Sequence, residues 1–429
     1  MDSQITSLLN FLDNSPCNFY AVDSAKKMLE ANGFTEKPLD HKLVIAPGEK
    51  FYVTKNDSAI FAFTVGKKAI ADTGLKIIAA HSDSPCFRVK PNAEMLCDGG
   101  IVKLNTEVYG GPILYTWFDR PLSLAGRVLL KGADALHPVT RLVKIDRPLF
   151  SISHLAIHFN RAVNEGNKIS KQKDMLPIIA KVNERLEAEN MLLSLVAKEL
   201  GVAMDDIIDF DLLVYNTEKA CTFGLNDEFI SAGRLDDLSM VHAALEAIID
   251  VKDEDATCVA AIFDNEETGS GTKQGAGSPV LSNVIMRMVE CQGGNYDAFA
   301  QAIAKSFLIS ADNAHAFHPN YGEKYDPTNH PALGSGPCIK INANCKYMSD
   351  AHSAAIFKSL CLEAGAPFQY FVNHSDVAGG STLGNILTGQ IDIEGVDVGN
   401  PLLAMHSVRE TGSVADHLNM IKVFKQFFS

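Results

Sequence analysis

Two hydrophobic patterns alternate along the second half of the chain. Short apolar runs such as TCVAAIFD, FLISAD, PCIKINA, PFQYFV and IDIEGVDVG alternate with segments whose apolar residues recur every three or four positions, such as LSMVHAALEAIID, AHSAAIFKSLCLEAG and VADHLNMIKVFKQFF. Near-continuous apolar runs are typical of strands buried on both faces, whereas a 3.6-residue period is typical of helices. The alternation predicts an α/β layer with a largely parallel sheet.

The beginning of the chain has the same character, but a middle stretch does not. ITSLLNFLD and AVDSAKKMLEANGF predict two helices, and FYVT, AIFAFTVG and LKIIAAH predict strands. In the middle, GGIVKLNTEVYG, LAGRVLLKG and FDLLVYNTEKACTFG mix with turn signals and with a polar helical stretch near 180–200. We therefore predict a discontinuous domain over 1–91 and 228–429, and an inserted β-rich domain over 92–227.

Composition excludes several classes of partner. The formal net charge is -14 and no basic tract is present, so neither nucleic acid nor an anionic membrane is expected as a partner. No signal-peptide pattern and no apolar run of about 20 residues is found. The nine cysteines are scattered without a CxxC pair, which indicates reduced thiols. We expect a cytoplasmic protein.

Acidic residues and histidines follow several of the predicted strands or precede a helix. In parallel sheets, ligands bind beyond the carboxyl ends of the strands, where such side chains converge. Any one of them has an ordinary explanation, for example a helix cap or a solvated glutamate pair, but their coincidence at one edge predicts a site. The residues are His81 and Asp83 after LKIIAA, Asp236 before a helix, Glu266 and Glu267 after CVAAIF, Asp312 after FLIS, and His406 after PLLAM.

The residue types suit a catalytic zinc centre. Imidazole and carboxylate are standard zinc ligands, and a bridging carboxylate can hold two metal ions. Asp83 lies two residues after His81, where a carboxylate can fix the imidazole tautomer. In the pair Glu266-Glu267, one carboxylate can bind metal while the other acts as a general base. The sequence therefore predicts metal-assisted hydrolysis.

Several segments, in this order, resemble the aspartyl aminopeptidase family of dinuclear-zinc metallopeptidases. They are HSDSPCFRVKP, TWFDRPLSLAGRV, HLAIHFNR, GRLDDL, FDNEETGS, SADNAHAFHPNY, GPCIKIN and LLAMHSVRE, and they span nearly the whole chain. The resemblance implies an α/β, three-layer catalytic domain with a mixed, largely parallel sheet of the zinc-peptidase kind. It also implies that the inserted β-rich domain mediates dimerisation.

The resemblance assigns a role to each matching residue. One metal ion is expected on His81, Asp236 and Asp312, and the other on Asp236, Glu267 and His406. Glu266 is expected as the general base, Asp83 as the partner of His81, and His158 as a residue that enters the neighbouring subunit's active site. Lys340 is expected to bind an acidic substrate side chain, with His315, His318 and Tyr321 as further substrate-binding residues.

The implied function is a zinc-dependent aminopeptidase that removes N-terminal Asp or Glu from peptides. Two divalent ions are expected per subunit, with zinc favoured and manganese or cobalt as alternatives. Dimers are expected to assemble into a homo-oligomer, a dodecamer. Two alternatives stay open from the sequence: a related dinuclear-zinc deacylase of acylated amino acids, and a catalytically inactive shell-forming scaffold. Cleavage that is abolished by N-acetylation of the peptide would favour the aminopeptidase over the deacylase.

Overall fold

The computed structural model describes residues 2–182 and 190–429. The chain divides into two units. Unit 1 comprises the chain up to Asp83 together with Ala220–Met405 and Glu410–Ser429, and unit 2 comprises Ser84–Lys219 and His406–Arg409. Within the described residues, no helix combines the length and the apolarity that a membrane crossing requires.

The described residues form the following helices and strands. The helices are α1 (Ser3–Asn14), α2 (Asn18–Glu30), α3 (Ile70–Thr73), α4 (Met191–Leu200), α5 (Leu235–Ile249), α6 (Val280–Cys291), α7 (Tyr296–Ala304), α8 (Ala351–Glu363), α9 (Leu383–Leu387) and α10 (Val414–Phe428). The strands are β1 (Thr35–Glu36), β2 (Lys50–Lys55), β3 (Ala59–Thr64), β4 (Leu75–His81), β5 (Cys86–Leu96), β6 (Ile101–Tyr109), β7 (Leu122–Leu130), β8 (Val139–Lys144), β9 (Ile178–Lys181), β10 (Ile207–Asn216), β11 (Cys221–Phe223), β12 (Phe229–Ala232), β13 (Thr257–Phe263), β14 (Phe307–Ala311), β15 (Ala314–His315), β16 (Cys338–Ile341), β17 (Gln369–Val372), β18 (Glu394–Gly399), β19 (Pro401–Leu402) and β20 (Glu410–Ser413).

Unit 1 is built on a nine-stranded mixed sheet in the order β1-β2-β3-β13-β4-β14-β18-β16-β17. Its centre, β13-β4-β14-β18, is parallel throughout, while β2-β3, β3-β13 and β18-β16 pair antiparallel. The predicted α/β class and the largely parallel sheet are confirmed. Most positions of the central strands are apolar and buried, because helices cover both faces of the sheet.

Successive residues of the central strands enter two different cores. Ile78 and Ala80 of β4 pack with α1, α2, α5 and α10, whereas Ile77 and Ala79 pack with α6 and α9. This alternation follows from the two-residue period of a strand. It produces three layers, helix–sheet–helix.

Unit 2 is built on a six-stranded antiparallel sheet in the order β8-β7-β10-β5-β6-β9. α4 contributes Leu192 and Val196 to its core. α4 lies in the later part of the helical stretch expected near 180–200, and residues 183–189 of that stretch lie outside the described residues.

The unit boundaries differ from the expected 92–227. β5 begins before residue 92 and belongs entirely to the sheet of unit 2, and β11 pairs with β12 inside unit 1. The role of unit 2 in dimerisation stays a prediction. All nine cysteines are free thiols.

Most of the elements expected from hydrophobic patterning are present. The two N-terminal helices are α1 and α2, and the three helices expected after residue 228 are α5, α8 and α10. Only the first two residues of the apolar run PLLAM form a strand, since β19 ends at Leu402. His406 lies in the turn that follows, with a φ of 68°.

Candidate active site

Two parallel strands end side by side and bring the first site residues together. His81 at the end of β4 lies opposite Phe263 at the end of β13. The Ser82 N–H donates to the Phe263 carbonyl at 2.8 Å, so the two chains stay together beyond the strands. The chain after β13 then forms a short 3-10 helix, Glu266–Thr268, which places the glutamate pair beside the histidine.

The Asp83 carboxylate joins the histidine to the glutamate pair. Its Oδ1 lies 3.3 Å from His81 Nδ1 and accepts the Glu266 N–H at 3.1 Å, and its Oδ2 accepts the Glu267 N–H at 3.2 Å. A carboxylate at Nδ1 orients the imidazole so that Nε2 faces away from it. Asp83 therefore has the geometry to orient His81, and it also fixes the turn that carries both glutamates.

Asp236 and Asp237 are adjacent but point to different partners. Their φ/ψ angles are non-helical at the start of α5. Asp237 Oδ2 accepts the His81 N–H at 3.1 Å, and its Oδ1 accepts the side-chain amide of Asn313 at 3.2 Å. Asp236 Oδ1 lies 3.8 Å from His81 Nε2. Asp236 thus faces the imidazole nitrogen that can bind metal, while Asp237 hydrogen-bonds to the backbone of His81.

Asp312 links the cluster to a buried lysine. It follows β14, and its N–H donates to the Val398 carbonyl at 2.9 Å. Lys340 of β16 is only 3% exposed, and its Nζ lies 3.4 Å from Asp312 Oδ1. A buried ammonium group requires a nearby carboxylate, and Asp312 supplies it. The Lys340 Nζ also lies 5.6 Å from the ring centroid of Tyr347.

The buried side chains around His81 carry more negative than positive charge. Burial and repulsion from Asp312 raise the pKa of Glu266 to about 8, although His81 opposes the shift. Burial by itself lowers the pKa of His81, but Asp237 and Asp83 outweigh it and hold that pKa well above its usual value. The acidic side chains are Asp83, Asp236, Asp237, Glu266, Glu267 and Asp312. Within unit 1, the basic groups beside these six carboxylates are His81 and Lys340. The carboxylates therefore outnumber the positive groups of unit 1 that could balance them.

This donor set fits a divalent metal ion. The ligand atoms of His81, Asp236, Asp237 and Asp312 lie within 4.8 Å of one another, and so do those of His81, Glu266 and Glu267. Neutral imidazole and carboxylate oxygen are ligands that zinc accepts. A bound divalent ion also supplies the positive charge that the buried carboxylates lack.

Comparison with known proteins identifies the family to which the chain belongs. A family model described as aminopeptidase I zinc metalloprotease (M18) matches residues 11–428. This chain belongs to the M18 family. The membership implied by the sequence motifs is confirmed, and with it the expectation of a zinc metallo-aminopeptidase that hydrolyses peptides.

Three relatives illustrate how far the M18 similarity extends. A probable M18 family aminopeptidase 2 of Clostridium novyi is 52% identical over 98% of this chain and 98% of its own. A cryo-EM structure of a complex of Ape4 and Nbr1 matches with a TM-score of 0.95 and 36% identity, over 99% of this chain and 85% of that one. The S. cerevisiae mApe1 dodecamer matches with a TM-score of 0.86 and 26% identity, over 99% and 95%.

Two residues expected in the M18 site belong to unit 2. His406 donates from Nδ1 to the Gly111 carbonyl at 3.1 Å, a contact of the kind that orients metal-binding imidazoles. His158 lies in an exposed 3-10 helix, Ile157–Phe159. The role of His406 as a ligand and that of His158 across a subunit boundary stay predictions.

The other expected substrate residues of this M18 chain are more exposed than Lys340. His315 is the last residue of β15, and its ring centroid lies 5.6 Å from that of Phe371. His318 and Tyr321 lie in the following loop with ring centroids 4.8 Å apart, and Tyr321 is 55% exposed. Their part in substrate binding stays a prediction.

The structure adds three residues that sequence reasoning did not assign. Asp237 and Asn313 hold the backbone around His81 and Asp236, and their positions next to Asp236 and Asp312 were the available signal. Tyr347 lies beside Lys340, seven residues further along the chain, and no sequence pattern indicates this contact. All three side chains are buried.

Proposed function

We propose that this M18 enzyme uses two divalent metal ions to remove acidic N-terminal residues from peptides. The observation that carries the proposal is the buried carboxylate cluster around His81, which lacks compensating charge and lies directly beside the buried ammonium of Lys340. The first feature suits metal ions and the second suits a substrate carboxylate. A cytoplasmic location stays a prediction from the sequence.

The proposed metal ligands divide into two sets that share one carboxylate. Zinc is the favoured ion, and manganese or cobalt can occupy the same donor set. When bound, such ions polarise the peptide carbonyl and make water more acidic. The sets are His81, Asp236 and Asp312, and Asp236, Glu267 and His406, with His406 included on the basis of the family resemblance.

Glu266 is the proposed general base. Its N–H is held by Asp83, so the carboxylate is presented from a fixed turn beside His81. From there Glu266 takes the proton of the attacking water and passes it to the leaving amine. Asp83 contributes by orienting His81 and by holding the Glu266-Glu267 turn.

Lys340 is the proposed recognition group for an acidic side chain. It is buried, so its charge acts in surroundings of low dielectric constant, where a charge-assisted hydrogen bond is strong. Burial lowers its pKa, but Asp312 and Tyr347 outweigh that effect and keep the ammonium charged. His315, His318 and Tyr321 are proposed to bind the remainder of the peptide.

Two adjacent glutamates provide a matched test of the metal and base assignments. Glu266→Gln is expected to retain bound metal, measured by elemental analysis, and to lose about 10²–10⁴-fold in kcat. Glu267→Gln is expected to lose metal as well as activity. Near-full activity of metal-loaded Glu266→Gln would refute the base assignment, and full metal content in Glu267→Gln would refute that residue as a ligand.

A panel of peptides tests the substrate class. Peptides that differ only in an N-terminal Asp, Glu, Leu or Lys are compared by kcat/KM, each with and without N-acetylation. We expect Asp and Glu to be preferred and acetylation to abolish cleavage. A preference for Leu over both acids would refute the acidic specificity, and cleavage of acetylated peptides would favour the deacylase alternative.

We also propose that the chain forms a homo-oligomer in which dimers assemble into a dodecamer. The support is the similarity to the S. cerevisiae mApe1 dodecamer and the exposed position of His158 in unit 2. Mixing inactive Glu266→Gln with inactive His158→Ala subunits tests the arrangement. Partial recovery of activity is expected, because a mixed pair contains one complete site. No recovery despite confirmed subunit exchange would contradict a role for His158 across the subunit boundary.

A further inference from the structure

A buried aspartate of the last helix binds the end of the loop that precedes Lys340. Asp416 lies in the first turn of α10 and is 0% exposed. Its Oδ2 accepts the Gly334 N–H and its Oδ1 accepts the Gly336 N–H, both at 2.7 Å. Charge-assisted bonds to backbone N–H groups are short and strong. One carboxylate therefore fixes two positions of the same turn.

A second side chain, from a strand, binds the same turn. Gln369, the first residue of β17, accepts the Ala332 N–H at 2.7 Å and donates to the Ala332 and Gly336 carbonyls at 3.0 and 2.8 Å. A Cβ on Gly336 would approach the Pro367 carbonyl oxygen to 2.2 Å, so the loop passes very close to the chain before β17. We call Asp416 and Gln369 the loop clamp.

The clamp lies immediately before the strand that carries Lys340. β16 begins two residues after Gly336, and it pairs with β18 through Cys338 and Gly399. The next strand, β14, is parallel to β18 and leads into Asp312. The path from the clamp to the Lys340–Asp312 contact is therefore short and consists of paired backbone.

The loop beyond the clamp joins two parts of the proposed substrate pocket. It starts after His315 at β15 and returns at Gly336, and it contains His318 and Tyr321. With its C-terminal stem bound by Asp416 and Gln369, the loop can vary in its exposed part without changing the start of β16.

We propose that Asp416 and Gln369 are positioning residues that set Lys340 against Asp312 and so determine the preference for acidic N-terminal residues. Neither side chain is placed in the catalytic machinery, and both act through the backbone from Ala332 to Gly336 into β16. The preference itself rests on the proposed function, whereas the clamp rests on these hydrogen bonds.

Asp416→Asn and Gln369→Leu test the clamp with two readouts. We expect hydrogen exchange of the backbone over residues 332–341 to become at least tenfold faster. We also expect the ratio of kcat/KM for an N-terminal Asp peptide to that for a Leu peptide to fall about tenfold, chiefly through KM for the Asp peptide. A defect that affected only overall folding would lower both peptides equally.

Gln292→Leu is the matched control. Gln292 also accepts a backbone N–H, that of Ile70 at 2.9 Å, but it does not touch the loop, so neither readout is expected to change. Unchanged exchange over 332–341 in both clamp variants, or an equal loss for both peptides, overturns the proposal. Lys340→Met separates the proposed acidic specificity from the loop clamp. If this variant keeps the wild-type ratio of kcat/KM for the two peptides, the assignment of Lys340 to the acidic side chain is refuted. The hydrogen-exchange measurement still decides whether the clamp exists.

Discussion

A buried histidine pair predicts a specific loss of stability in acid. His242 of α5 and His417 of α10 are both almost fully buried, and His242 Nδ1 lies 3.0 Å from His417 Nε2. His242 Nε2 contacts the Ser7 hydroxyl at 2.9 Å. Glu246 lies 3.6 Å from His242 Nε2, but it is partly exposed and does not offset the burial. Two neutral imidazoles satisfy this arrangement, whereas two imidazolium ions would repel.

The magnitude follows from the difference between the folded and unfolded pKa. Burial lowers the pKa of His417 from a usual value of 6.5 to about 3. The pKa of His242 is also lowered, chiefly by burial and in addition by repulsion from His417. Because the folded pKa is depressed, the unfolded chain takes up the proton first, and stability is lost as the pH falls below about 6.5. At pH 5, about 1.4 kcal/mol per pH unit gives a loss of about 2 kcal/mol from His417.

Urea unfolding of wild type and His417→Gln at pH 7 and pH 5, in one metal buffer, measures this contribution. Glutamine keeps a polar partner for His242 but does not titrate, so the wild type should lose about 2 kcal/mol more than the variant between the two pH values. Metal release in acid affects both proteins and cancels in the difference. Equal losses would refute the reasoning.

His352→Gln is the matched control for that measurement. His352 is exposed, and its hydrogen bond to Glu394 raises the pKa of His352. A raised folded pKa stabilises the protein at low pH, so this substitution should change the pH dependence in the opposite direction. A change in the same direction as that of His417→Gln would show that the readout does not depend on burial.

Three further predictions concern the site and the core. Asn313→Ala removes the amide that holds Asp237 and the Leu235 carbonyl, and it should lower zinc affinity about 10–100-fold in a chelator competition; unchanged affinity would contradict this role. Gly399→Ala should also weaken zinc binding, because its Cβ would lie 1.9 Å from the Asp312 carbonyl oxygen, and wild-type affinity would show that β18 can move without disturbing Asp312. Phe424→Ala should cost about 3–5 kcal/mol in urea unfolding, since Phe424 is fully buried in the larger core; a loss below about 1 kcal/mol would mean that the cavity collapses.

The candidate site was predictable where sequence order and sheet geometry coincide. His81 and the Glu266-Glu267 pair follow apolar runs that the pattern predicts as strands, and parallel strands end at one edge of a sheet. The resemblance then assigned roles that the pattern left open. The boundaries of unit 2 were harder to predict from the sequence. β5 crosses the expected boundary at residue 92 with an alternation of buried and exposed residues, so the composition does not change there.

The residues that sequence reasoning missed act through contacts between distant segments. Asp416 occurs in an amphipathic helix, where an acidic residue usually faces solvent, and its burial depends on Gly334 and Gly336, about eighty residues earlier. Tyr347 likewise has no local pattern that indicates its contact with Lys340. Local patterning predicts which face of an element is buried, but it does not identify a polar partner supplied by another segment.

The contact between Lys340 and Asp312 connects the two halves of the proposed function. A chain with a net charge of -14 disfavours the approach of acidic peptides over long distances, so their recognition requires a local positive charge. Lys340 is such a charge, but its Nζ already faces Asp312 at 3.4 Å. Asp312 is also a proposed metal ligand, and a carboxylate that shares its charge with a divalent ion attracts an ammonium group less strongly. The affinity of Lys340 for a substrate carboxylate should therefore depend on metal occupancy, so the proposed acidic specificity should be lost when the metal ions are removed.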